Sequence, residues 1–334
     1  MYSMNKFALS ALSLAVLTSF VSALSLGVIA IELSDIWQAL LSYDATNLEQ
    51  KIIIELRLPR AILAFLAGGG LAMAGLILQT VTRNPLADPY LFGVSSGASF
   101  GVVLLFAFTG VQAGLVLSGA AFAGSLLAMS ALLLIAKAQL NNQVESMLLA
   151  GVALSFLFSA CTSLLLYWSD PQAITAIVFW TLGSFSRADW QTLWLPAIVV
   201  CLSVGCMLLF RRTLNAMLLG DESATTLGVN VTKLRLGMLL LSSLLTAVLV
   251  AMCGGVGFVG LMIPHIVRFF VSQASTAGLL ITALSGGLFM LWVDIVARTV
   301  LENQELPVGV ITAAIGSVFF LTLLVLRKRT TASI

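Results

Sequence analysis

The length of the uncharged stretches most constrains what this chain can fold into. Nine such stretches, each 16 to 48 residues long, separate the charged residues. They cover 7–31, 61–82, 89–136, 146–169, 171–186, 190–210, 236–267, 269–293 and 306–326. A helix needs about 20 apolar residues to cross a bilayer, and most of the stretches reach that length. The chain is therefore predicted to be an all-α polytopic membrane protein.

The composition supports this class, because 60% of the 334 residues are hydrophobic and only 9% are charged. Soluble domains carry about 25% charged residues, so this chain has too few to cover a water-exposed surface. A transmembrane β-barrel would show short alternating segments rather than long apolar runs. The net charge of only +2, without a basic stripe, argues against nucleic-acid binding.

The stretches predict about ten transmembrane helices within one membrane domain, residues 1–334. The 48-residue stretch 89–136 is long enough for two spans joined by a turn. Glycines within 254–260 predict a break followed by a short helix, and 171–186 is too short to span the bilayer and predicts an interfacial or re-entrant helix. The predicted spans are 7–31, 57–81, 89–108, 114–136, 144–168, 190–210, 234–253, 257–271, 274–297 and 307–326.

The distribution of basic residues predicts the orientation. With a cytoplasmic N-terminus, the inner side receives eleven of the 16 Lys and Arg residues and the outer side receives five. Basic residues concentrate in cytoplasmic loops, so both termini are predicted to be cytoplasmic. The longest inner loop is then about 211–233.

The sequence shows no nucleotide-binding or catalytic motif. None of the five lysines follows a glycine, which excludes a recognisable P-loop. The single histidine, His265, and the four cysteines lack metal-ligand spacing. The chain is therefore expected to have no catalytic residues and no metal site, and any energy from ATP must come from a partner.

Three of the few outer basic residues, Arg57, Arg60 and Arg298, lie at span ends. One interpretation is local pairing with Glu55 and Asp294; the other is a docking patch for an acidic partner. Asp294 is the only acid inside an apolar span and shares a helix face with Arg298, four residues later. Because an intramembrane acid can also serve a coupling ion, an ion-coupled secondary transporter is the alternative class.

The inner loop contains a segment, 219–228, with the pattern of a short amphipathic helix. Asp221 and Glu222 suit the positive N-terminal end of a helix. Ala224 and Leu227 then fall on one face. Such an element can insert into a groove of a partner, although an ordinary loop helix has the same pattern.

Several motifs follow one another in the order of a known family. They are Arg57-Leu58-Pro59-Arg60, Gln79, Asn84-Pro85-Leu86-Ala87-Asp88-Pro89, and the segments 91–98, 149–154, 180–184, 257–268, 294–298 and 305–310. With these motifs the chain resembles the permease subunit of bacterial ABC importers for iron–siderophore, haem and cobalamin. The resemblance runs from about residue 55 to the C-terminus.

The resemblance implies a ten-helix fold in a dimer, made of two copies or of this chain and a paralogue, around a central pathway. It implies two cytoplasmic ATPase subunits that hold ATP and Mg, and a periplasmic substrate-binding protein. The chain itself would be a non-enzymatic, cofactor-free transport subunit among the lipids of the bacterial inner membrane, working by alternating access. The expected cargo is a metal chelate, ferric siderophore first, with haem, cobalamin and molybdate as alternatives.

The resemblance also implies roles for individual residues. It implies that Arg57, Arg60 and Arg298 contact the binding protein when it docks. The ATPase coupling helix falls on Leu219, Gly220, Asp221, Glu222, Ala224, Leu227 and Gly228. The inner gate falls on Asn84, Leu86, Val144 and Glu145.

Overall fold

The computed structural model describes residues 2–27, 29–109, 114–138, 144–272, 275–302 and 304–331. Within these ranges the chain is helical and contains no strand. The α-helices are α1 (Tyr2–Ser25), α2 (Leu33–Leu41), α3 (Leu48–Lys51), α4 (Leu58–Thr82), α5 (Val94–Thr109), α6 (Gly114–Ala138), α7 (Val144–Tyr167), α8 (Pro171–Thr181), α9 (Trp194–Leu209), α10 (Arg211–Leu218), α11 (Asp221–Thr226), α12 (Val231–Cys253), α13 (Val259–Arg268), α14 (Thr276–Thr299) and α15 (Val308–Thr331).

Seven helical segments are long and apolar enough to cross a membrane, and the pair α9 and α10, bent by 65° at its junction, makes an eighth. The shorter apolar helices α5 and α13 overlap the two remaining predicted spans. The all-α polytopic prediction is thus confirmed, and every predicted span overlaps a helix. The short helix α8 lies where the sequence predicts an interfacial or re-entrant helix.

The boundaries of the first two spans differ from the sequence prediction. The first span was expected to reach residue 31, whereas α1 ends at Ser25. The outer segment expected between the first two spans contains α2 and α3, and a π-helical turn, Ile52–Arg57, joins α3 to α4 without a break. Uncharged length therefore overestimates the first helix and underestimates the second, which continues through charged residues.

The predicted break near residue 254 is present. Helix α12 ends at Cys253, and Gly254 follows with a φ of 73°, a left-handed conformation that glycine adopts without steric cost. Phe258 also has a positive φ, 69°, and precedes α13. The backbone therefore leaves the α-helical conformation after Cys253 and begins a short second helix at Val259.

Helix α4 forms the centre of the bundle and packs against α9, α12, α13 and α14. Glycines make this packing possible. A Cβ atom on Gly68 would lie 2.0 Å from the Gly286 carbonyl oxygen, and one on Gly75 would lie 1.9 Å from the Gly260 oxygen. These small residues let neighbouring backbones approach closely, as is usual between membrane helices.

Replacing Gly75 with alanine is expected to destabilise the bundle by about 1–3 kcal/mol, because a backbone must move to admit the methyl group. The midpoint of thermal unfolding in mild detergent measures the effect. Gly205→Ala is the matched control, since nothing lies within 4 Å of its added Cβ. Equal midpoints for both variants would contradict the packing argument.

Candidate functional site

A charge cluster forms on the predicted outer side, where α4 meets α14 and the segment before α15. This outer charge cluster is defined as Arg57, Arg60, Asp294, Arg298 and Glu305. Nε of Arg60 donates to Oδ1 of Asp294 at 2.9 Å, and Nη1 of Arg60 donates to Oε1 of Glu305 at 2.7 Å. Nε of Arg298 lies 3.5 Å from Oδ2 of Asp294. The structure therefore brings all three predicted docking arginines to one end of the bundle.

Two of these arginines hold the end of α1. Nη1 of Arg57 donates to the carbonyl oxygens of Leu24 and Ser25 at 2.6 and 2.8 Å, and Nη2 of Arg298 donates to that of Ala23 at 2.6 Å. The last carbonyls of a helix have no partner within the helix, so the two cations satisfy them. Arg57 is 7% exposed and Arg298 is 5% exposed.

The expected local pairing is present for Asp294 and absent for Glu55. Asp294 is 1% exposed and lies between Arg60 and Arg298. Glu55 instead accepts a hydrogen bond from the Tyr43 hydroxyl at 2.6 Å and lies 3.9 Å from Lys51. Docking of an acidic partner stays a prediction for the three arginines. Among them, Arg60 contacts the exposed side chain of Glu305.

At the opposite end, α11 lies inside the predicted coupling segment. Gly220 precedes it with a φ of 115° and Gly228 follows with a φ of 80°. Ala224 is fully buried, whereas Leu219 and Leu227 are 70% and 66% exposed. The sequence missed α10, which packs against α11 and completes a two-helix element between α9 and α12.

A second charge cluster, on the predicted inner side, connects this element to the bundle. This inner charge cluster is defined as Arg83, Asp221 and Arg235. Nη2 of Arg235 donates to both Asp221 carboxylate oxygens at 2.8 and 2.9 Å, and Nη2 of Arg83 lies 3.1 Å from Oδ1. Arg235 is 6% exposed. Neither arginine was among the predicted site residues, since pairs between distant elements leave no local pattern.

The predicted inner gate is described only in part. Asn84 and Leu86 lie in the turn after α4, where Oδ1 of Asn84 accepts from the Leu86 N–H at 2.9 Å. Leu86 is 54% exposed. Helix α7 begins at Val144, but the side chains of Val144 and Glu145 lie outside the described residues. Their pairing with the turn stays a prediction.

The FecCD transport family matches residues 14–326 of this chain. The chain belongs to the FecCD transport family. The hemin transport system permease protein HmuU of Yersinia pestis is 38% identical over 285 residues, which cover 83% of this chain and 84% of HmuU. The Fe(3+) dicitrate transport system permease protein FecD of Escherichia coli is 37% identical over 307 residues, 91% of this chain and 93% of FecD.

A solved structure gives the same result at the level of the fold. It is described as an inward-facing conformation of a "metal-chelate type ABC transporter" and superposes with a TM-score of 0.84 at 34% identity. The match covers 95% of this FecCD chain and 98% of the solved chain. The resemblance stated from the motifs is thereby confirmed.

Asp88 closes the turn that carries the predicted gate of this FecCD protein. Its Oδ1 accepts from the Tyr90 N–H at 2.7 Å, and the side chain is buried. Burial raises the pKa of Asp88 to about 6, although the Tyr90 N–H acts in the opposite direction. An unfolded aspartate has a pKa of about 3.9, so the folded state holds the proton more tightly. The contribution of Asp88 to the free energy of unfolding is therefore fully present below pH 4, and it is lost as the pH rises through about 6.

Asp88→Asn is therefore expected to abolish this loss, which is on the order of 3 kcal/mol between pH 4 and pH 7.5. Asparagine keeps an acceptor for the Tyr90 N–H and carries no charge. Thermal unfolding of the solubilised protein across this pH range measures the effect, with the exposed Asp170→Asn as control. The same decline in wild type and Asp88→Asn would contradict the assignment.

An outer cavity of about 250 Å³ opens beside Glu305. Trp180, Ser184, Ser186 and Arg187 contribute to its lining. Among the residues described in this FecCD chain, no group of three or more His, Cys, Asp or Glu side chains is placed to hold a metal ion.

Proposed function

We propose that this chain is the permease subunit of an ATP-driven importer that moves ferric siderophore from the periplasm to the cytoplasm by alternating access. The observation that carries the proposal is the FecCD match over residues 14–326. Membership of an ABC importer family explains why the chain combines many spans with no P-loop. Covalent chemistry is not needed, because differential affinity of ATP for two states of the assembly is enough to drive the change.

The proposal includes a second permease subunit, either a copy or a paralogue. The outer cavity of about 250 Å³ is below the roughly 300–1,000 Å³ of pockets that enclose drug-sized ligands. The outer cavity of a single chain is therefore too small to enclose a chelate. In a pathway between two permeases, the second subunit would provide the remaining surface around the chelate.

Two cytoplasmic ATPase subunits would bind ATP and Mg and contact the inner two-helix element. The exposed Leu219 and Leu227 support this, because large apolar side chains at the surface of a polar loop suit a partner groove. A periplasmic binding protein would contact the opposite end, at Arg60. This arrangement places both termini in the cytoplasm and the chain in the bacterial inner membrane.

Ferric siderophore is proposed as cargo because the two permeases compared above are named for haem and for ferric dicitrate, which are both chelated iron. Uptake of a ⁵⁵Fe-labelled trihydroxamate chelate into cells that lack the chain, with and without a plasmid copy, tests this choice. Restored uptake that excess haem, cobalamin and molybdate do not suppress is the expected result. Suppression by one of the three would transfer the assignment to that cargo, while the permease proposal would stand.

A further inference from the structure

An inner cavity of about 400 Å³ lies between the inner ends of α4, α9, α10, α13 and α14. Its lining contains three guanidinium groups, those of Arg83, Arg211 and Arg268. The lining residues that the structure describes include no Asp or Glu. The cavity is therefore strongly cationic, in a chain whose net charge is only +2.

Two of these arginines keep hydrogen-bonding capacity, while the third, Arg268, donates from Nη2 to Oε1 of Gln79 at 2.9 Å. Arg83 uses Nη2 toward Asp221, and Arg211 uses Nη1 toward the Thr276 hydroxyl. A guanidinium has five N–H donors, so Arg83 and Arg211 each keep donors for a further acceptor. Asp221 is shared with the buried Arg235, and it does not neutralise the cavity.

The cavity also has an apolar wall. Met207, Leu214 and Leu279 belong to it but are only 2–3% exposed, so its accessible apolar surface is that of Pro85 and Leu218. Gln79, Thr80 and Asn215 add polar groups near the arginines. A site with cations beside an apolar surface suits a ligand with a phosphate and hydrocarbon chains, and an inorganic anion would gain nothing from the wall. Basic pockets between helices on the cytoplasmic side of a membrane have this character.

We propose that this cavity binds the phosphate headgroup of an anionic phospholipid from the inner leaflet, with its acyl chains extending past the exposed Pro85 and Leu218 into the membrane. Arg83 and Arg211 donate to the phosphate oxygens. Arg83 also contacts Asp221 of α11. A lipid bound to Arg83 would therefore connect the membrane surface to the two-helix element between α9 and α12. The inference depends on which helix ends are cytoplasmic and is independent of the cargo.

Native mass spectrometry of the full chain, purified with any subunits it retains and exchanged into defined lipids, tests the site. The wild type is expected to retain phosphatidylglycerol in preference to zwitterionic phosphatidylcholine by about tenfold or more. The double variant Arg83→Gln/Arg211→Gln is expected to lose that preference. Arg212→Gln is the matched control, because this exposed neighbour does not line the cavity.

Three outcomes would overturn the proposal. The first is equal retention of the two lipids by the wild type, which needs no variant and so does not depend on a variant folding. The second is displacement of the retained lipid by millimolar inorganic phosphate, which would make free phosphate the ligand. The third is unchanged lipid retention by the double variant with loss of a co-purified ATPase, which would assign the arginines to a protein interface.

Discussion

Asp294→Ala is expected to lower the stability of the solubilised protein by about 3–5 kcal/mol, the cost of breaking a buried ion pair by removing one partner. Asp294 is 1% exposed and lies 2.8 Å from Nη2 of Arg60 and 3.5 Å from Nε of Arg298. Its removal leaves two largely buried cations facing each other. Thermal and chemical unfolding in mild detergent measure the loss.

Glu305→Ala provides the matched control, because Glu305 contacts the same Arg60 with a side chain that is 42% exposed. Exposed ion pairs contribute about 0–1 kcal/mol, so this variant is expected to remain close to wild type. Unchanged stability in Asp294→Ala would contradict the structural role of the outer charge cluster.

The same residue separates the importer from the ion-coupled alternative. Asp294→Asn keeps an acceptor for Arg60 and removes the charge that a coupling ion would need. An importer that retains its fold is expected to keep ATP-dependent uptake in this variant. A variant that folds normally but transports nothing would favour the ion-coupled transporter.

Asp221→Ala is expected to reduce ATP-driven uptake about tenfold or more, which corresponds to about 1.4 kcal/mol or more of lost coupling. The substitution removes the only carboxylate described in contact with Arg235, which is 6% exposed, and releases Arg83 from α11. The two-helix element then loses its ionic connection to α4 and α12. Uptake of the labelled chelate and co-purification of the ATPase are the two measurements.

Lys233→Ala controls for loss of a charge in the same loop, because Lys233 is exposed, belongs to neither charge cluster and lies outside the predicted coupling helix. We expect its uptake to be near that of the wild type. Equal losses in the two variants would mean that loss of any charge in this loop lowers uptake and that the Asp221–Arg235 contact is not responsible.

The sequence predicted features that depend on local pattern. Span positions follow from uncharged length, the break at Gly254 follows from backbone freedom, and the Asp294–Arg298 pair follows from a spacing of four in one helix. The local pattern of acidic and apolar residues likewise predicted a short helix in the coupling segment, and α11 lies there.

Features that join distant elements were not predicted. Arg60 and Asp294 are 234 positions apart, and no local spacing indicates their contact. The end of α1 is stabilised by hydrogen bonds from Arg57 and Arg298. The uncharged stretch continues to residue 31, so its length alone predicts an end six residues beyond Ser25. The contact of Nη2 of Arg235 with both carboxylate oxygens of Asp221 likewise requires the turn between α11 and α12 to be folded.

We propose that this FecCD chain works as the permease of an ATP-driven importer, and native mass spectrometry of the tagged chain, extracted from its own membranes in mild detergent, is the decisive experiment. If the proposal is correct, two permease subunits are isolated together with two ATPase subunits. A chain that is isolated without an ATPase, even after gentle crosslinking through residues 221–228, and that transports with an ion gradient alone, would contradict it.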